Sequence, residues 1–155
     1  KAWKMTANDH GEINSNYGNL IYNAKHYKQY YNVLSELRGN EDSRRASMVY
    51  QRPSIWVDYD ANGKNDFICT NAVTYYIRDD QLHCVVQMRS NDVVFGYKND
   101  YAWQKYVLDQ VVQAYNQQYL GNAADADYRK EMEAGDITWQ VQNLHVYERH
   151  FDLVK

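Results

Sequence analysis

Proline occurs once in these 155 residues, cysteine twice and glycine seven times. No Pro/Gly/Ser-rich block, internal repeat or low-complexity stretch interrupts the chain, so no linker divides it. No apolar run approaches the roughly 18 residues of a membrane span, which excludes an integral membrane helix and predicts no membrane partner. An excess of basic charge is also lacking. The formal charge is −3 and the pI about 5.9, so there is no global positive field for duplex nucleic acid, and direct nucleic-acid binding is not expected. What is present suffices for a core: 45% of residues are apolar and 24% charged, which excludes disorder. A single domain over residues 1–155 is the expectation, and a domain of this size buries roughly 68–70% of its unfolded surface. Sixteen tyrosines are the one compositional excess.

The cysteines are not placed to pair. Residues 68–77 (ICTNAVTYYI) and 82–90 (LHCVVQMRS) are β-rich runs joined by Arg78-Asp79-Asp80-Gln81, a hairpin signature. With Asp79-Asp80 as the turn, Ile77 faces Leu82, Tyr75 faces Cys84 and Cys69 faces Ser90. Cys69 and Cys84 then stand roughly 20 Å apart along the ladder, beyond the roughly 7 Å that a disulfide spans. Two free thiols suit a reducing cytoplasm.

Other elements follow from periodicity. Residues 25–38 read as a helix with Tyr27, Tyr30, Tyr31, Leu34 and Leu37 on one face and Gly39 as its stop. Residues 46–57 are strand-like, with Pro53 marking an edge or bulge. Residues 101–120 are the clearest helix, its apolar face made by Trp103, Val107, Leu108, Val111, Val112, Tyr115 and Tyr119, with Gly121-Asn122 as its end. Residues 127–134 suggest a short helix. Ile137, Trp139 and Val141 alternate as a strand that runs on through residues 144–147. The fold class expected is α+β, a mostly antiparallel sheet with long helices packed on it.

Common chemistries are missing. There is neither a Walker phosphate loop nor a GxGxxG, and no P-C-x-x-C of a zinc deaminase. No HExxH occurs, and His145 and His150 are one residue too far apart to ligate from one helical face, so no metal is expected. The hairpin is more informative. It brings Arg89-Ser90 to the strand end that carries Cys69, and an arginine close to a thiol favours the nucleophilic thiolate. Arg with Ser is also a natural phosphate cradle. The structural alternative is a buried small cysteine beside a surface arginine.

The order Asp42-Ser43-Arg44-Arg45, Cys69, residues 87–92 (QMRSND), Gly96, Gly135-Asp136-Ile137 and His145-Val146-Tyr147 resembles the thymidylate synthase superfamily, from Trp3 to about Val154. Residues 11–18 (GEINSNYG), 89–96 (RSNDVVFG) and 99–108 (NDYAWQKYVL) resemble its branch of deoxycytidylate hydroxymethylases from T-even-type phages. That resemblance implies a deoxycytidylate 5-hydroxymethyltransferase using 5,10-methylenetetrahydrofolate, with deoxycytidylate (dCMP) as substrate. It also implies roles residue by residue. Cys69 adds to C6 of the pyrimidine. Arg89 and Ser90 hold the 5′-phosphate within a substrate site that includes Asn91, Asp92 and Gly96. Arg44 and Arg45 cross a homodimer interface to the partner's phosphate. His145 and Tyr147, on one face of an extended segment, hold the 3′-hydroxyl. Tyr17 lies near C5 for proton removal, Asp92 also meets the pterin, and Trp3 lies by the folate. Ordinary packing or solvation is the structural alternative for Tyr17, Trp3, the arginine pair and the His145/Tyr147 face.

Asp100 separates the substrates. Thymidylate synthases that read uracil carry asparagine there, an amide that donates to O4 and accepts from N3–H. Cytosine reverses that pattern, and a carboxyl group fits it. The alternative is that Asp100 caps the 101–120 helix, a role Asn99 could also fill. Thr70 stands where thymidylate synthases usually have histidine. The family's catalytic glutamate lies in a segment upstream of the match to Trp3, and a C-terminal segment closes over its folate; neither is in these residues. The expectation is therefore a central core of a longer enzyme, with a dUMP or dCMP methylase or a non-catalytic nucleotide-binding fragment as the rival readings.

Overall fold

The computed structural model describes residues 3–117 and 131–155, apart from the side chains of Trp3 and Asn62. Five α-helices, α1 (Trp3–Thr6), α2 (Tyr17–Tyr22), α3 (Gln29–Gly39), α4 (Ile55–Asp58) and α5 (Gly96–Gln117), accompany six strands among the described residues. The strands are β1 (Ser47–Val49), β2 (Thr70–Arg78), β3 (Gln81–Met88), β4 (Asn91–Asp92), β5 (Glu133–Val141) and β6 (Leu144–His145). The main sheet runs β1-β2-β3-β5 and a second, two-stranded sheet joins β4 to β6. In the main sheet only β3 and β5 are parallel. Such a pair needs a long crossover, and α5 lies within it. This is the expected α+β class, mostly antiparallel with helices packed on it. Among the described residues no helix is long and apolar enough to cross a membrane.

The hairpin forms as its sequence dictates. Asp79 and Asp80 both adopt the left-handed conformation (φ 52° and 60°), which a two-residue turn between twisted strands requires and which Asp tolerates. Ile77 pairs with Leu82 and Tyr75 with Cys84, as read from the sequence. Both cysteines are free. One face of the sheet is buried by helices: Val73, Tyr75, Leu82, Cys84 and Val86 are fully buried, against Leu37 of α3 and Val107, Leu108 and Val111 of α5. The apolar stripe expected of the long helix is thus the one it buries. Tyr119, Gly121 and Asn122 lie outside the described residues, as does the first half of the expected 127–134 helix; its second half is not helical, and Glu133 and Ala134 open β5.

Three expectations need correction. The 25–38 helix is broken: Ala24–His26 is a 3₁₀ turn, and Tyr27 and Lys28 are left-handed (φ 63° and 48°) before α3 begins at Gln29. Tyr27 and Tyr31 therefore point to solvent, and the buried face is Tyr30, Val33, Leu34 and Leu37. The 46–57 strand shrinks to Ser47–Val49. Pro53 cannot donate to a ladder, and a helical turn follows in which Ser54 Oγ donates to Asp58 Oδ2 and Arg52 Nε donates to the same oxygen. Trp56 and Val57 end up exposed. The last strand does not run on through 147; it breaks after Val141, and Leu144–His145 leaves to pair with Asn91 and Asp92.

Candidate active site

Cys69 closes the open end of the hairpin. A bulge between Thr70 and Ala72 shifts the pairing by one residue, so Thr70 faces Met88. Arg89 rather than Ser90 therefore stands opposite Cys69, its backbone N–H donating to the Cys69 carbonyl at 3.0 Å. The extra residue turns the guanidinium onto the cysteine loop. Arg89 Nε donates to the Ile68 carbonyl (2.9 Å) and Nη2 donates to the Phe67 carbonyl (2.8 Å), with the Cys69 Sγ 3.6 Å from Nη2. Its carbon also lies 4.8 Å from the Phe67 ring centre, at cation–π distance. Arg89 draws the thiol's pKa down, yet burial outweighs it, and the nearby Asp100 and Asp66 carboxylates add to the rise. Cys69 is consequently a thiol above its ordinary pKa in the free protein, against the thiolate that the arginine alone suggests. Cys84, buried in the core, is pushed up to about 12. Native-state alkylation is therefore expected to label Cys69 alone, with a rate still rising above pH 9, and Arg89→Ala to slow it. Mass mapping checks this, and labelling of Cys84 at a comparable rate would contradict it.

The second wall comes from the loop before α2. Asp66, buried, accepts the backbone N–H of Asn14 (2.8 Å) and of Ser15 (2.6 Å). Asn14 in turn donates its amide to the Asp66 and Asp58 carbonyls. Asn16 then caps α2, its side chain accepting from Asn19 N–H. Tyr17, at the first helical position, packs edge-on to Tyr50 (5.1 Å between ring centres) and takes a 3.0 Å hydrogen bond from Thr70 Oγ1. Burial, then the Asp100 charge, hold its hydroxyl well above the ordinary tyrosine range, so it is a phenol and not a phenolate.

The third wall is the start of α5. The helix begins at Gly96, so Asp100 lies inside its second turn and neither it nor Asn99 is the cap. Asp92 supplies that function: its carboxylate accepts from the N–H groups of Val94, Phe95 and Gly96. Burial tends to raise its pKa, but those backbone donors hold it below the usual range. Asp100 is left free for the site. Burial pushes it up to about 6, opposed by a 2.7 Å hydrogen bond from Asn91 Nδ2 to Oδ2. The β4–β6 pairing sets Asp92 beside His145, whose ring lies edge-on to Tyr147 at 5.0 Å.

Cys69, Arg89, Tyr17, Asp100, Asn91, Asp92, Gly96, His145 and Tyr147 are thus gathered around the end of the hairpin, with Ser90 linking Arg89 to Asn91. Arg44 and Arg45 are not. They precede β1, whose first residue, Ser47, pairs with Thr74 of β2 and whose chain runs away from Cys69 toward its N-terminus, so Arg45 lies about seven residues of strand from Cys69, roughly 23 Å. Arg45 there binds Glu36 at 2.9 Å. The Trp3 side chain lies outside the described residues. Asp66 was not singled out in the sequence, because an aspartate that accepts backbone N–H groups more than fifty positions away leaves no local pattern; nor was the link from Thr70 to Tyr17.

A free cysteine beside an arginine, faced by a half-buried tyrosine and a half-buried carboxyl group on a mostly antiparallel sheet, defines the arrangement. The thymidylate synthase family profile matches residues 1–155, and the chain belongs to that family. It is 52% identical over 154 residues to the deoxycytidylate 5-hydroxymethyltransferase of Enterobacteria phage T4, covering 99% of this chain and 59% of that relative. It is 25% identical over 158 residues to a thymidylate synthase of Buchnera aphidicola, covering 99% and 52%. The thermostable thymidylate synthase A from Bacillus subtilis superposes with a TM-score of 0.62 at 23% identity, over 81% of this chain and 38% of that one, which shows the shared fold. The chain spans somewhat over half the length of the phage and Buchnera relatives it matches.

Proposed function

We propose that this chain carries the nucleotide site of a dCMP 5-hydroxymethyltransferase, which converts dCMP to 5-hydroxymethyl-dCMP. The observation that carries the reading is a half-buried carboxyl group, Asp100, in the segment where uracil-reading relatives have an amide. With its pKa raised to about 6, Asp100 is balanced between sharing its own proton with N3 and accepting from a protonated N3, while it also accepts from the N4 amine.

In this reading Cys69 Sγ bonds to C6 and the C5–C6 π pair moves to C5, which becomes the nucleophile. As the thiolate forms, the Arg89 guanidinium at 3.6 Å stabilises the charge that burial disfavours. Arg89 Nε and Nη2 are engaged with the cysteine loop, which leaves Nη1, with the Ser90 hydroxyl, to meet the 5′-phosphate. His145 and Tyr147 take the 3′-hydroxyl side of the sugar. Tyr17 moves the C5 proton as a hydroxyl relay, since a standing phenolate is disfavoured there, and the Thr70 donor fixes its oxygen. Water then adds to the exocyclic methylene left on C5, and the C6–S bond breaks to restore the C5–C6 double bond and return the Cys69 thiolate.

Folate fits the residues at one point: Asp92, held ionised, is an acceptor for the N–H edge of a pterin, beside the exposed Phe95 ring. Bound there, 5,10-methylenetetrahydrofolate supplies the one-carbon unit. Trp3 is assigned to the same side. A homodimer completes the phosphate site, with Arg44 and Arg45 reaching the partner's. Their distance from Cys69 of their own chain supports this, as does the sheet face opposite the helices, where Thr74 and Val85 are half-buried and Thr138 exposed. The reading keeps residues 1–155 as one domain and places the protein in the cytoplasm of an infected bacterium.

Release of tritium from 5-labelled dCMP, with the product mass, is the test. Release from dCMP in preference to dUMP is expected, along with loss of at least about 10⁴-fold in Cys69→Ser. A methyl product would make the protein a methylase. Calorimetric binding of dCMP with no release would make this chain a nucleotide-binding module only.

A further inference from the structure

Asn91 is more deeply buried than the residues it serves. It is 2% exposed, its backbone N–H donates to the Asn143 carbonyl at 3.0 Å, and it pairs with Leu144 of β6. Its Nδ2 donates to Asp100 Oδ2 at 2.7 Å, yet its Oδ1 is buried with no partner. An unsatisfied buried acceptor is destabilising. A small or apolar side chain would spare the fold that penalty, so packing does not account for an amide here.

Gly96 belongs to the same arrangement. One helical turn before Asp100, a Cβ at this position would meet Asn91 Nδ2 and Asp92 Cβ at 3.3 Å and Asp100 Oδ2 at 3.8 Å. The bare glycine leaves the amide room to lie against the carboxyl group. Among the described residues Asp100 Oδ1 takes no hydrogen bond. We infer that Asn91 is the positioning residue of Asp100: its amide anchors Oδ2 through one lone pair, which fixes the plane of the carboxyl group and leaves Oδ1 and the second lone pair of Oδ2 for the pyrimidine edge. This rests on the reading of Asp100 as the base-reading residue. The titratable groups that face Asp100 are the Tyr17 hydroxyl from α2 and the Cys69 thiol at the start of β2. Asp92, next to Asn91 on β4, turns its carboxylate to the helix N-terminus, and Arg89 is tied to the cysteine loop. Asn91 is therefore the group that favours the ionised form against burial.

The experiment is a carbon-detected NMR titration of the Asp100 carboxyl group in the 155-residue chain, assigned by its disappearance in Asp100→Asn. Calorimetric affinities for dCMP and dUMP accompany it. Asn91→Leu, close in shape and without a donor, is expected to raise the midpoint by about one unit, tenfold in proton affinity. It should also lower the preference for dCMP over dUMP about tenfold. Asn91→Ala, which adds no bulk, is expected to move both in the same direction and serves where leucine does not fit. An unmoved midpoint, or an equal loss of affinity for both nucleotides, overturns the inference even while Asp100→Asn still reverses the preference. If Asp100→Asn leaves the preference unchanged, the base-reading role falls instead, and the midpoint in Asn91→Leu still decides whether the amide holds the carboxyl group.

Discussion

Asp100→Asn is expected, on the base-reading role proposed for Asp100, to turn nucleotide preference from dCMP to dUMP, by roughly 10⁴ in the ratio of kcat/KM values. The physical basis is a mismatch of buried donors and acceptors: facing cytosine, the amide leaves polar groups unpaired, and facing uracil it pairs them. The same substitution has a signature that needs no turnover. A carboxyl group raised to about 6 in the folded state binds its proton more tightly than in the unfolded chain, where it titrates near 3.9. Stability is therefore lost as pH rises from about 4 through 6, and above that window the wild type carries the whole penalty of an ionised, half-buried carboxylate. For this partly exposed group that penalty is about 2 kcal/mol. Asparagine avoids it and still accepts from Asn91 Nδ2. Asp100→Asn should accordingly be about 2 kcal/mol more stable than the wild type at pH 8 and nearly equal to it at pH 4. Urea unfolding at the two pH values measures this, and a gap that does not change with pH would assign the effect to something other than the charge.

Asp66→Ala is expected to destabilise the protein by about 3 kcal/mol. The carboxylate is 8% exposed and takes the backbone N–H groups of Asn14 and Ser15. Without it, two donors in a largely buried loop have no acceptor, and each such orphan costs about 1–3 kcal/mol. The loop they belong to leads through the Asn16 cap into Tyr17, so the hydroxyl opposite Cys69 should lose its position as well. Asp66→Asn keeps an acceptor but not the charge and should fall about halfway between. Denaturation midpoints at unchanged slope provide the measure. A loss below about 1 kcal/mol in the alanine variant would show that water replaces the carboxylate and that the loop is held elsewhere.

The elements legible in the sequence share one property: their determinants are local. Two aspartates that tolerate left-handed backbone set the β2–β3 turn, and strict alternation then leaves one register for Ile77/Leu82 and Tyr75/Cys84. The stripe Val107, Leu108, Val111 and Tyr115 dictates which side of α5 is buried. The ordered motifs around Cys69, residues 89–92, Asp100, His145 and Tyr147 name the family, because so many chemistry-bearing residues in one order are specific where any single one is not. Periodicity misled where a local break competed with it. Residues 27, 30, 31, 34 and 37 fall at helical spacing, but left-handed Tyr27 and Lys28 start the helix late and send Tyr31 outward.

Composition and pattern alone thus determined an α+β chain with two unpaired cysteines and a fixed hairpin, and the family resemblance supplied the roster of candidate site residues. Only the tertiary structure decided how that roster works. A single bulged residue puts Arg89 instead of Ser90 against Cys69. Helix α5 starts at Gly96, which takes Asp100 out of a capping role and lays it against Asn91. Asp66 ties down a loop more than fifty residues away. The ionisation of Cys69 and Asp100 was out of reach of the sequence for the same reason: an arginine or an asparagine nearby lowers each pKa, burial raises it, and burial exists only once the distant parts of the chain have packed.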